Sequence, residues 1–243
     1  MDSAMSEGAN WSGLAALALL IAGFGLAFLF LAVLPQRRNA AGLRALAGRR
    51  GWQIDMGSGP VAKGQGSTWL VDVRPGDGSG WRCRVTRFVE GNRQIRTTEF
   101  SDPTLPAPAG MIVVGPGLAP GEAATAGQLL GQLSGPHGSL AMRAFLGDGL
   151  EGAERLRPAG QREGMTVFAS ADADAEAVLD RVAGPIGRFR TAFPAEKDFP
   201  ILIWSGQGCR VRLRDEASEP ARLEAFVDHA LAVCAALRRA RHE

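Results

Sequence analysis

The 243-residue chain has no tyrosine, only two lysines and only three cysteines. Each shortage removes a class of explanation. Because Lys63 and Lys197 are the only lysines, 25 of the 27 basic residues are arginine. In so Ala-, Gly- and Arg-rich a chain, a single Arg is weak grounds for a phosphate site. Cys83, Cys209 and Cys234 are odd in number, widely separated and without a CxxC pair, which excludes a disulfide framework. Such thiols fit a reducing compartment, where cysteine acts as a small buried hydrophobe. His137, His229 and His242 are scattered, with no HExxH or HxH spacing, so the common zinc patterns are absent.

Charge is scarcest between Gly13 and Leu34, where 22 consecutive positions carry none. As a helix this run would extend roughly 33 Å, enough to cross a hydrocarbon core of about 30 Å. A cleaved signal peptide needs a basic start, a shorter apolar run and a small-residue cleavage site. Here MDSAMSEGAN precedes the run without Lys or Arg, and LPQRR follows it. The expectation is an uncleaved transmembrane helix over 13–35, after a short extracytoplasmic tail, 1–12. Trp11 stands where an interfacial aromatic belongs.

Arg37, Arg38, Arg44, Arg49 and Arg50 crowd the far side of the run. The positive-inside rule then places the N-terminus outside and the remainder in the cytoplasm of a bacterial cell, as a single-pass inner-membrane protein. Residues 36–51 are expected to form a basic juxtamembrane helix, with Leu43, Leu46 and Ala47 at helical spacing. Its main part is to fix topology, and its arginines can also touch anionic lipid headgroups. Of 27 basic and 25 acidic residues, five arginines and two acids fall within 1–51, leaving 22 basic against 23 acidic beyond. A near-neutral remainder lacks the footprint of a nucleic-acid binder.

Residues 52–243 read as an α+β domain with a mainly antiparallel sheet and flanking helices. Val71 and Val73, then Trp81, Cys83 and Val85, alternate with polar residues around the turn PGDGSG, which predicts a hairpin. RQIRTTEF continues it as a further strand, DPTLPAPAG is a proline-rich connection, and MIVV reads as a strand covered on both faces. Gln128–Leu133 is expected to be helical, and 137–160 is ambiguous. MTVFAS is a strand whose Ser170 or Asp172 can cap the following helix, with Asp174 and Glu176 suiting its positive end. Gly184-Pro185 is expected to break or restart that helix, which Ile186, Phe189 and Phe193 continue. ILIW and the alternating Cys209, Val211 and Leu213 form a second hairpin. Leu223, Phe226, Val227, Ala230, Leu231, Cys234 and Leu237 form the seam of a last helix. The domain has two candidate subdomains, 52–120 and 160–243. The fragment Cys83-Arg84-Val85 recurs as Cys209-Arg210-Val211, but the flanking turns differ in length, so chance explains the repeat better than duplication.

The order of apolar segment, basic helix ending in LAGRRGW, β-meander, VFASADADAEAVLDR, ILIW and CRVRL resembles uncharacterised bacterial inner-membrane-anchored proteins with a cytoplasmic β-rich domain. The resemblance spans most of the chain and rests on patterning. It implies an architecture and carries over no catalytic residue.

No constellation in the sequence reaches a reaction. Gly59 and Gly64 have the spacing of a phosphate loop, but Gln65-Gly66 stand where Lys and Ser/Thr are required, and a strand follows. Asp172 and Asp174 suit helix capping better than a cation. His137 between Ser134 and Ser139 lacks a nucleophile elbow and reads as a surface turn. No catalytic, cofactor-binding or metal residue is therefore assigned. Two main functions remain, beside lipid-surface sensing by the Arg-rich helix. One is a non-enzymatic membrane-tethered module that binds a membrane-associated protein. The other is a membrane-anchored hydrolase with a site assembled from sequence-distant residues. The topology is directly checkable: phosphatase fused to the C-terminus should be inactive, and periplasmic activity there would overturn the orientation.

Overall fold

The computed structural model describes residues 15–17, 20–21, 34–57, 66–90, 93–133, 152–195 and 199–239. The chain divides into two units, 1–45 and 46–243. In the first, positions 15–17, 20 and 21 are helical, with Leu17, Leu20 and Ile21 exposed. The rest of the span expected over 13–35 lies outside the described residues, except Leu34 and Pro35. Among the described residues no helix is long and apolar enough to cross a membrane. Helix α1, Leu34–Arg50, realises the basic helix and begins two residues earlier than expected. It stops at Gly51, whose φ of +64° is the left-handed conformation that glycine supplies after a helix. Its last turn, in the second unit, buries Leu46 and Ala47.

The second unit is α+β. Nine strands form one sheet in the order β1-β2-β3-β4-β9-β8-β5-β7-β6, and every pairing is antiparallel. The strands are β1 (Trp52–Asp55), β2 (Gly66–Pro75), β3 (Arg82–Glu90), β4 (Arg93–Asp102), β5 (Ile112–Pro116), β6 (Arg157–Arg162), β7 (Met165–Ala169), β8 (Ile201–Ser205) and β9 (Gly208–Leu213). Helix α2 spans Pro120–Leu133, α3 Ala175–Ala192 and α4 Pro220–Arg239, and a 3₁₀ turn covers Ala153–Arg155. Strands from 52–120 and from 160–243 lie in the same sheet, with β5 between β7 and β8.

Alternation along the strands sorts side chains to two faces. Cys83 and Val85, then Phe100, then Cys209, Val211 and Leu213 lie on one face, where Cys234 of α4 meets Cys209, and all are buried. Helix α3 packs on α4 through Phe189 and Phe226, whose rings are 5.7 Å apart. Both phenylalanines and Phe100 are fully buried, each burial contributing about 1.5–3 kcal/mol. On the opposite face, Met111, Val113, Phe168, Ile201 and Ile203 form a second core with Ala153 and Leu156, closed by Leu118 and by Ala126 of α2.

Several local expectations need correction. The cap of α3 is Asp174, whose Oδ1 accepts from the Ala177 amide at 3.0 Å. Ser170 instead accepts from the Met111 amide at 2.8 Å and secures the start of β5. Helix α3 also runs unbroken through Pro185. Gly184 has no Cβ to meet the proline ring, and burial of Pro185 among Val182, Ala183 and Ile186 offsets the lost backbone bond. Helix α2 begins at Pro120, eight residues before the expected start. Pro120 supplies a preset first position, and Glu122 accepts from the Ala119 amide at 2.9 Å. Strand β6 lies largely at the end of the stretch 137–160 that the sequence leaves ambiguous, and RPAGQR contains both proline and glycine. It is an exposed edge strand with a register shift between Pro158 and Gly160, the position where a sheet tolerates such residues. In α4, Leu231 is half-buried, while Val233 and Ala236 join the core.

The β8–β9 turn depends on one glycine. Gly208 has φ +116°, and a Cβ there would lie 2.4 Å from the Asp102 carbonyl oxygen. Gly208→Ala should therefore cost about 1–3 kcal/mol, read as a lowered urea midpoint at unchanged slope. A change within 0.3 kcal/mol would show that the turn relaxes freely.

Candidate functional site

A groove of about 690 Å³ opens beside the C-terminal half of α3. Pro116, the last residue of β5, and Gly117 beyond it form one side with Gly164 of the β6–β7 turn, and Gly187, Arg190 and Thr191 of α3 form the other. Phe193, Pro194 and Phe199 add an apolar surface. Its volume lies in the usual range for small-molecule sites.

The floor is backbone. The Gly117 amide donates to the Gly164 carbonyl at 2.7 Å, and a Cβ on Gly117 would come within 2.9 Å of the Gly164 backbone. The β6–β7 turn consists of Glu163 and Gly164, with φ values of +51° and +73°. This two-residue left-handed turn matches the twist of the flanking strands. It also aims the Glu163 carbonyl at α3, where it accepts from Arg190 Nη1 at 3.0 Å. The Arg190 guanidinium lies over the Phe199 ring, 5.3 Å from its centroid. One hydrogen bond and one cation–π contact thus hold the Arg190 cation in a partly apolar groove. Thr191 turns its hydroxyl back to the Gly187 carbonyl at 3.2 Å. The lining supplies a fixed positive charge, ring faces and backbone, which suits recognition of an anionic group attached to an apolar body.

The remaining ionised clusters are structural. Asp72 falls on the polar alternation of β2 but is buried, with its side chain 7 % exposed. Arg82 grips it with two hydrogen bonds, Nε to Oδ1 at 2.7 Å and Nη2 to Oδ2. Arg74 Nη2 lies 3.4 Å away and Arg84 Nε 3.7 Å away. Burial alone would push the Asp72 carboxyl up. The Arg82 hydrogen bond and charge, with Arg84 and Arg74, outweigh it and hold the group below the ordinary carboxylate range. Glu216 receives Arg87 at 3.1 Å and Arg96 at 3.4 Å. Arg212 meets Glu99 at 2.6 Å, and Arg238 meets the buried Asp102 at 2.7 Å. Arg49 bonds Glu224 of α4, and Arg50 bonds Asp228.

Among the described residues, those weighed from sequence are not brought together. The glycine loop around Gly59, Gly64 and Gln65 lies outside the described residues, and Gly66 begins β2. Ser134, His137, Ser139 and His242 also lie outside them. The Ser170 hydrogen bond holds the Asp172 carboxyl below its ordinary value, while Asp174 serves as a cap. His229 packs against the rings of Phe189 and Phe193, and burial pushes its pKa down. Cys83 is buried, as expected, and burial pushes its thiol far up. Among the described residues no group of His, Cys, Asp or Glu could hold a metal ion. Sequence reasoning missed Arg190 and Phe199, nine residues apart and joined only by the fold. It also missed that Cys209 and Cys234 touch, Sγ to Sγ at 3.3 Å.

The Asp72 cluster has a testable pH signature. Its carboxyl is depressed in the folded state, so its contribution is present above the unfolded value and is lost as pH falls through the folded one. Asp72→Asn should cost about 1–3 kcal/mol near neutrality. In denaturant melts the gap to wild type should narrow below pH 4. A gap that stayed constant down to pH 2 would sink this account.

Comparison with known protein families, with curated proteins and with solved structures found no match to this chain.

Proposed function

We propose that this chain is a membrane-tethered binding or scaffolding module. It is anchored through 13–35 as a single-pass inner-membrane protein, with its N-terminus outside and its α+β domain in the cytoplasm, and it recognises a membrane-associated protein. The uncharged 13–34 run and the arginines that follow support the anchor. Arg37, Arg38 and Arg44 are exposed and suit contact with anionic headgroups. Arg49 and Arg50 already bond acids of α4. Tethering raises the effective concentration of a partner on the same surface, so a shallow groove suffices where a soluble binder would need a larger interface.

One observation carries the choice of binding over catalysis. Among the described residues, the groove lining holds one fixed guanidinium among phenylalanine, proline and glycine, and offers no nucleophile beside a base. The alternative, a membrane-anchored hydrolase, requires such a pair within hydrogen-bond reach.

The test uses the full chain in native membranes, with a photocrosslinking residue at Thr191 on the groove and, separately, at Ala235 on the exposed side of α4. One discrete adduct is expected from position 191 and not from 235. Arg190→Glu should weaken that adduct at least tenfold, since a hydrogen bond to a charged group contributes about 1.5–3 kcal/mol. Identical adducts at both positions, or an adduct indifferent to Arg190, would rule out the groove as the binding surface.

A further inference from the structure

Two thiols from sequence-distant elements meet in the core. Cys209 is the second residue of β9, directly opposite Trp204 of β8 and Asp102 of β4. Cys234 lies on the buried seam of α4. Their sulfurs are 3.3 Å apart, Cys234 donating to Cys209, and the residues are 25 apart in sequence. Both are at most 1 % exposed, and both are free thiols. Van der Waals contact between two sulfurs, each on a regular element, leaves little more than an ångström to a covalent bond of about 2.05 Å. Cys83 is an internal control. It lies on β3, separated from β9 by the whole of β4. Two strand spacings of about 4.8 Å exceed the Cα separation a disulfide can bridge, so Cys83 cannot reach Cys209.

We infer that Cys209 and Cys234 form a covalent modification site, a latent disulfide that takes a small hydroperoxide as its oxidant and fastens α4 to β9. The thiolate of one cysteine attacks a peroxide oxygen. The O–O bond breaks, the leaving oxygen departs as water after protonation, and the sulfur becomes a sulfenic acid. The second sulfur then displaces that hydroxyl. The S–S bond forms, the S–O bond breaks, and the thiol proton leaves with the hydroxyl as a second water. Two thiols and one hydrogen peroxide yield one disulfide and two waters, with the sulfurs oxidised by two electrons in total.

Burial sets the rate. The thiolate is the reactive form, and the neighbouring Cys234 thiol, hydrogen-bonded to Cys209, together with burial pushes the Cys209 thiol well up. Oxidation must therefore await a local opening of α4 from the sheet. The site responds slowly to sustained oxidant and is stable once formed, because the linkage closes a loop containing most of β9 and α4.

The experiment treats the full-length chain in detergent with hydrogen peroxide, with and without sub-denaturing urea, and then alkylates it under denaturing conditions. Mass spectrometry should show free thiols falling from three to one, a Cys209–Cys234 linked peptide and alkylated Cys83. Reductant should restore three. Urea should speed the loss at least severalfold, and the oxidised protein should melt at a higher temperature than the reduced one. Cys83→Ala should fall from two thiols to none, while Cys209→Ala and Cys234→Ala should each keep two. Linkage through Cys83, a chain-to-chain link, sulfinic acid without linkage, or three free thiols persisting in urea would each overturn the proposal.

Discussion

The structure depends on the two edges of β4. On one side it continues the meander of β1, β2 and β3, and on the other it receives β9 from the far end of the chain. Phe100 marks the junction, with Cys83 opposite it on β3 and Val211 opposite it on β9. Trp81 stacks on its ring at 5.5 Å, and Trp52 meets Trp81 edge-on at 5.6 Å. Both ends of this seam are fastened. Thr98 donates to the Asp215 carbonyl and accepts from the Ala217 amide, each at 2.8 Å. Asp102 accepts from Arg238 and from the amide and hydroxyl of Thr104. Without this pairing, the meander and the C-terminal half would each present an open sheet edge.

The strong elements were legible because their physics is local. Alternation in β3 and β9, the continuous apolar run of β8 and the heptad-like seam of α4 can be read along a few residues, and they fold as read. The errors fall where a neighbour outvotes the local signal. Pro185 announces a break, but the preceding glycine and a buried environment let α3 continue. Pro158 and Gly160 leave the local signal ambiguous, and β6 is resolved only as an edge strand with one partner. Ser170 resembles a cap, but the start of β5 claims its hydroxyl. The groove was illegible for a different reason. Arg190 is one arginine among many in sequence, and only the Glu163 carbonyl and the Phe199 ring distinguish it. Likewise Cys209 and Cys234 could each be read as buried, while their contact required knowing where α4 crosses β9.

Arginine abundance also takes on a structural meaning. Asp72, Glu99, Asp102 and Glu216 each meet at least one guanidinium, and three of the four pairs join segments more than 100 residues apart. Pairs of this kind add little to net stability compared with apolar burial, but removing one partner strands a costly charge. They therefore act as register marks, disfavouring a sheet in which β9 slides against β4 and separates Glu99 from Arg212.

The β4–β9 seam also has a consequence in time. Glu99 and Arg212 are 113 residues apart, which at 5–20 residues per second is on the order of ten seconds of translation. Throughout that interval the meander can form, but β4 shows an unsatisfied row of amides and carbonyls and Phe100 lacks its cover. The nascent chain carries an adhesive border until its last strand and helix emerge. A ribosome stalled anywhere before β9 would release a half-sheet prepared to join whatever strand lay nearest.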